Sequence, residues 1–176
     1  MKILVTGDRG YIGATLVPML RKKYEVIGYD SGYFSENLLE QFDEDYIKIT
    51  KDIRDISRED LEEVDGIIHL AGLSNDPLGE FSPKLTEEIN YSGTIRLAEM
   101  AKDIGVSRFV YASSQSMYGV SDTSNELDED DSEKNPVTAY AIAKWKAEQQ
   151  LHSMSTDNFV VTSLRPSTVF GASPRL

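Results

Sequence analysis

The chain has no cysteine, two histidines, one tryptophan and little positive charge, with 18 Lys and Arg against 30 Asp and Glu giving −12 over 176 residues. Without cysteine there is no disulfide framework, thiolate nucleophile or Cys-ligated zinc, and His69 and His152 alone make a metal site a poor expectation. The acidic balance repels phosphate backbones and no basic cluster offsets it, so nucleic acid is not expected as a partner. Long hydrophobic runs are missing too. Nothing approaches the ~18 apolar residues of a membrane span, and the first apolar run meets Gly7 too early for a secretory h-region. A soluble, cytoplasmic protein with no membrane partner is expected.

What is present is enough to build a core: 40% hydrophobic residues, with six Phe and nine Tyr, which excludes disorder as the main state. Short β-branched runs at Lys2–Thr6, Glu25–Tyr29, Tyr46–Thr50, Gly66–Leu70, Arg108–Ala112 and Phe159–Leu164 read as strands. Helical periods lie between them, near Tyr11–Lys23, Arg58–Glu63, Lys84–Ile104 and Ala139–Met154. Strands separated by helices imply right-handed crossovers, hence a doubly wound α/β fold whose parallel sheet has about six or seven strands and helices on both faces. No repeat or linker interrupts it. From Ser121 to Asn135 the chain turns acidic, with Asp122, Glu126, Asp128, Glu129, Asp130, Asp131 and Glu133 against Lys134, and reads as a solvated loop.

The first strand runs straight into Gly7-Asp8-Arg9-Gly10-Tyr11-Ile12-Gly13 and then a helix. In that context small residues let backbone amides and the positive helix end approach a pyrophosphate, and a third glycine lets helix pack on strand. The spacing is G-x-x-G-x-x-G, and a βα turn that uses its glycines only for geometry is the plain alternative. Asp30 closes the second strand, where a carboxylate accepts ribose hydroxyls and repels a 2′-phosphate. With Ser31 and Gly32 next and no adjacent Arg, NAD is favoured over NADP; the alternative is a turn aspartate. Asp52-Ile53-Arg54 after the third strand could meet an adenine amino group, and a surface ion pair explains it equally well.

Val110-Tyr111-Ala112-Ser113-Ser114 ends a strand in hydroxyls at the sheet edge where open α/β folds bind ligands. Tyr140 and Lys144, at i and i+4 of a helical stretch, put a phenol and an ammonium on one face. A free tyrosine is a poor base at neutrality, and a fixed positive charge from Lys144 and an oxidised nicotinamide would favour its phenolate. His69, inside an apolar strand, reads as a core histidine, Trp145 as packing or an interface, and Met117 and Tyr118 as packing at a turn.

Together these segments resemble the extended short-chain dehydrogenase/reductases, the NAD-dependent epimerase/dehydratase family acting on nucleotide sugars, over essentially the whole chain. The resemblance rests on the glycine turn, Asp30, Asp52-Ile53-Arg54, His69-Leu70-Ala71-Gly72, Asn90-Tyr91-Ser92-Gly93, Ser113-Ser114 through Tyr118-Gly119, Tyr140 to Lys144, and Leu164-Arg165-Pro166. It implies a Rossmann fold in which Gly7, Gly10 and Gly13, with Tyr11 and Ile12 between them, hold the pyrophosphate of NAD. Asp30 would take the adenosine ribose, Asp52 and Ile53 the adenine, Leu70, Ala71 and Gly72 would line the cofactor, Asn90 would support the site and Pro166 would lie near the nicotinamide. Tyr140 would be the acid/base, Lys144 would bind the nicotinamide ribose, and Ser114 would hydrogen-bond the reacting group. The implied reaction oxidises a sugar hydroxyl to a keto sugar, which turns over and takes hydride back on its other face: an epimerase.

Gln115-Ser116 stands where dehydrating members carry Asp-Glu, so a dehydratase is not expected; Ser74 stands where some epimerases place a Lys. A keto-sugar reductase or a non-catalytic dinucleotide sensor are the alternatives. The resemblance makes residues 1–176 an NAD-binding domain, with the family's C-terminal substrate-binding domain missing and turnover of nucleotide sugar correspondingly poor. It also implies a homodimer through a four-helix bundle of Lys84–Ile104 and Ala139–Met154.

Overall fold

Parallel β-branched runs form the frame of the computed structural model, which describes every residue other than 35, 37, 38, 40–44, 75, 121–125 and 176. The strands are β1 Lys2–Thr6, β2 Glu25–Asp30, β3 Ile47–Thr50, β4 Gly66–His69, β5 Arg108–Ala112 and β6 Val160–Leu164. They pair in parallel in the order β3-β2-β1-β4-β5-β6, six strands among the described residues. The order reverses at β1, between β2 and β4, so a crevice opens at the carboxyl ends of the strands there. This is the Rossmann arrangement the sequence implied.

Alternation along β1 distributes its side chains to two cores. Leu4 joins the larger cluster, with Phe109, Tyr111, Leu97, Ala147 and Leu151, beneath α4 (Thr94–Ile104) and α5 (Ala139–Met154). Ile3 and Val5 join the smaller one, with Val17 of α1 (Tyr11–Leu20) and Val26 of β2. A strand apolar on both faces is what a sheet covered on both sides requires, and each side chain fully buried there contributes about 2 kcal/mol.

The helices depart from expectation in identifiable ways. α1 stops at Leu20 rather than Lys23, because the amides of Lys23 and Tyr24 both turn back onto the Leu20 carbonyl. Arg58–Glu63 is not a helix but a single 3-10 turn, Glu59–Leu61, preceded by Asp60 capping the Ser57 amide at 3.0 Å. A short helix, α2 Asp76–Phe81, stands where none was expected; its Pro77 and Gly79 hide it from a propensity reading. The expected helix Lys84–Ile104 is three pieces: α3 Pro83–Glu87, π-turns over Glu88–Gly93, then α4. α5 has the expected bounds. Of the acidic segment, residues 121–125, Asp122 among them, lie outside the described residues, and 126–131 are exposed, with Asp128 capping the amides of Asp130 and Asp131.

Candidate active site

The glycine turn is built by close approach. Gly7 holds φ +73°, and a β-carbon there would lie 2.8 Å from the Ala71 amide nitrogen, so the turn after β1 touches the turn after β4. At Gly13 a β-carbon would collide with the Gly7 and Asp8 carbonyl oxygens, which brings α1 directly onto the turn. Gly10 caps α1 with no side-chain hydrogen bond and no acidic residue in the first turn. The leading amides of the helix are therefore available to an anion. Tyr11 donates through its hydroxyl to the Gly171 carbonyl, its own carbonyl accepts from Ser173 at 2.9 Å, and Ile12 faces out at 39% exposure.

Asp8 is fully buried in this turn, accepting a hydrogen bond from the Tyr46 hydroxyl at 2.7 Å while its other oxygen has no partner among the described residues. Burial pushes its carboxyl up to about 6, against the pull of Tyr46, with the nearby Asp30 charge adding to the rise. Asp30 accepts from the Gly32 amide at 2.7 Å, the local turn bond that an aspartate makes there. Arg9 adjoins the end of β2: its Nη2 donates to the Thr50 hydroxyl, and its Nη1 would sit 3.2 Å from a β-carbon on Gly32. A scan of the residues following Asp30 misses it because the glycine turn and the end of β2 meet only in space.

Asp52 binds Arg54 through both oxygens, at 2.9 Å to Nε and 2.8 Å to Nη2, and caps the Arg54 amide. The Arg54 guanidinium holds its carboxyl below the ordinary range. This is the ion pair of the alternative reading, and the Ile53 side chain beside it is buried in the core. Leu70, Ala71 and Gly72 run from β4 past the glycine turn, with the Leu70 amide on the Thr6 carbonyl. Asn90 spends its amide on that segment: Oδ1 accepts from the Leu73 nitrogen at 2.8 Å and Nδ2 donates to the Leu73 oxygen at 2.9 Å. Its contact is with the loop.

Tyr140, Lys144 and Ser114 come together as their spacing implied. Lys144 is buried, its ammonium donating to the Ala112 carbonyl at 2.7 Å, over the Tyr111 ring at 4.9 Å and 5.9 Å from the Tyr140 ring centre. No carboxylate pairs with it among the described residues, and burial brings it down to about 8. The Tyr140 phenol is raised above its ordinary value, first by burial and also by Asp76, while the Ser114 hydroxyl pulls it down. The depressed phenol expected of this site is thus not produced by the protein's own groups. Ser114 also caps the turn Gln115–Tyr118, accepting from the Ser116 amide at 3.1 Å, and the Pro166 carbonyl accepts from the Gln115 amide at 3.2 Å.

Sequence reasoning overlooked a pair behind the site. Glu148, a further four residues along the face carrying Tyr140 and Lys144, is buried and accepts from Arg165 at 2.9 and 2.6 Å. Arg165 also donates to the Tyr118 hydroxyl and lies over the Trp145 ring, so Trp145 packs; Met117 is buried as expected. The i, i+4, i+8 spacing was the available signal. His69 is a core histidine, as read. Among the described residues no cluster of three metal-ligating side chains forms, and no helix is long and apolar enough to cross a membrane.

Sheet order, glycine turn and the hydroxyl–phenol–ammonium group at the same edge define a dinucleotide-binding protein of the short-chain dehydrogenase/reductase type. Residues 3–175 match the NAD dependent epimerase/dehydratase family, and the chain belongs to it. It is 32% identical to the UDP-glucose 4-epimerase of Bacillus subtilis, over 99% of this chain and 54% of that protein. It is 30% identical to Protein CapI of Staphylococcus aureus, over 97% of this chain and 55% of that protein. Among solved structures, the UDP-glucose 4-epimerase of Thermus thermophilus in complex with NAD superposes with a TM-score of 0.80 at 25% identity, covering 94% of this chain and 54% of the other. The chain spans about half the length of the curated relatives it matches. The family's dependence on NAD agrees with the cofactor read from Asp30 beside the glycine turn.

Proposed function

We propose that the protein is a nucleotide-sugar epimerase that uses NAD, with Tyr140 as acid/base, Lys144 as the group that binds the nicotinamide ribose, and Ser114 as hydrogen-bond partner of the reacting oxygen. The observation that carries the reading is Lys144: a buried ammonium with no carboxylate partner among the described residues, on the helix face that also carries Tyr140. The residues fit a dinucleotide. The first turn of α1 leaves its amides to an anion, Gly7 and Gly13 leave no room for side chains at the pyrophosphate turn, and Asp30 stands at the ribose end.

NAD supplies the hydride acceptor and a positive charge when bound. Tyr140 takes the proton of the substrate hydroxyl as that carbon is oxidised and returns it when the carbon is reduced. Ser114, whose hydroxyl bonds to Ser116, would steady the oxygen between these states. Lys144, brought down by burial to about 8, stays protonated at neutral pH and would hold the nicotinamide ribose as an ammonium. The names of the relatives, UDP-glucose 4-epimerases among them, support a nucleotide sugar as substrate.

The first test is to denature the purified protein, identify any released nucleotide by chromatography, and titrate the emptied protein with NAD and NADP. Retained NAD and much weaker NADP binding are expected. Incubation with UDP-glucose should then give its C4 epimer only slowly, and Tyr140→Phe should abolish even that while leaving NAD binding within about threefold, since the phenol acts on the reacting oxygen. Arg9 favours a second reading, a keto-sugar reductase using NADPH, because its guanidinium adjoins the ribose end of the site. Preference for NADP in the same titration would put that reading first.

A further inference from the structure

Thr6, His69 and Thr94, at the ends of β1 and β4 and the start of α4, are almost wholly buried and hydrogen-bond in series. The direction of each bond follows from the last link. Thr94 Oγ1 donates to the Asn90 carbonyl at 2.9 Å, so its oxygen accepts the Nε2–H of His69 at 2.8 Å. His69 Nδ1 then carries a lone pair and accepts from the Thr6 hydroxyl at 2.6 Å, whose oxygen accepts from the Ala71 amide at 3.3 Å. Burial, with the charge of Lys144, holds the ring neutral, its pKa pushed down to about 3. Asn90, whose carbonyl ends the series, grips Leu73 with both side-chain atoms, and a β-carbon on Gly72 would lie 2.9 Å from its Oδ1 and 3.8 Å from Lys144 Nζ.

The series therefore runs from the residue before Gly7 to the loop beside the catalytic lysine. Asn90 and Thr94 sit in and next to the π-turns, which break the helical ladder there. We propose that His69, Thr94 and Asn90 form a positioning relay that locks the Gly72–Leu73 loop to the Gly7 turn, so that the two ends of the cofactor site are held as one unit by side chains that touch no substrate. This rests on the NAD reading above. Its consequence is selective: losing the relay weakens a ligand that spans both ends more than one confined to the glycine turn.

The test compares Thr94→Val and Thr94→Ser with the wild type, measuring affinities for NAD and ADP and the exchange rate of the Leu73 amide. Valine keeps the shape and removes the link; serine keeps the link. For the valine variant NAD affinity should fall about tenfold with ADP within twofold, as losing the two buried hydrogen bonds of the Thr94 hydroxyl allows, and the serine variant should match the wild type. Leu73 exchange should accelerate at least about tenfold in the valine variant while the Leu4 and Val5 amides of β1 keep their protection. An unchanged NAD-to-ADP ratio, unchanged Leu73 exchange, or a serine variant as impaired as valine overturns the relay. Nitrogen NMR of the wild type tests it without substitution: His69 should hold its proton on Nε2 unchanged from pH 5 to 8, and titration near the ordinary histidine value overturns it. Wild type that binds ADP but not NAD removes the reading beneath, whereas NAD binding with an unaltered valine variant removes the relay alone.

Discussion

Asp8 and His69 titrate in opposition. The carboxyl of Asp8 rises from 3.8 to about 6 on folding, so the folded state binds the extra proton and this group's stability is lost as pH climbs from about 4 to 6. His69 falls from 6.5 to about 3, so the unfolded state binds the extra proton and stability grows as pH climbs from about 3 to 6.5. At about 1.4 kcal/mol per tenfold in proton affinity, these amount to upper bounds of about 3 and about 5 kcal/mol. Asp8→Asn, which retains an acceptor for Tyr46, should therefore be more stable than the wild type at pH 7 and lose that advantage by pH 4. Urea unfolding at several pH values checks this; parallel curves for the two proteins would refute it. Tyr140 illustrates what residues alone leave undone, since burial raises its phenol and only Ser114 opposes that from within the chain.

At the scale of elements, two junctions carry the site. Gly13→Ala would drive a methyl group into the backbone of Gly7 and Asp8, where no flexible side chain can yield, and should cost about 2 kcal/mol or more and abolish NAD binding. Thermal unfolding and a cofactor titration measure both effects, and a normal cofactor affinity in the alanine variant would contradict the close approach. The second junction is Glu148–Arg165, which ties α5 to the end of β6. Glu148→Ala leaves the mostly buried Arg165 without its counter-charge and should lose about 3 kcal/mol in urea unfolding, with Glu148→Gln losing less. The strands and α5 were legible because their periods are local and long. The π-turns were not: they follow from Asn90 reaching Leu73, a contact between distant segments, and no pattern within Lys84–Ile104 announces it.

At the scale of the molecule, the sheet order sets the crevice and the family sets the chemistry, while sequence separation explains what was missed. The homodimer implied by the resemblance would use the outer faces of α4 and α5; sedimentation should show a dimer, and monomer alone at the highest concentration reached would exclude it. The sequence by itself determined the parallel α/β class, the glycine turn, Asp30, and the grouping of Ser114 with Tyr140 and Lys144, because each depends on period or spacing along a strand or helix. Only the tertiary structure decided that Arg9 stands beside Asp30's turn, that Asp52 is occupied by Arg54, and that His69 links the glycine turn to Asn90. The first and last arise where β1, β2 and β4 bring remote segments to one edge, whereas Asp52 and Arg54 pair within one turn, and the energy of a buried polar group depends on neighbours that linear order does not reveal.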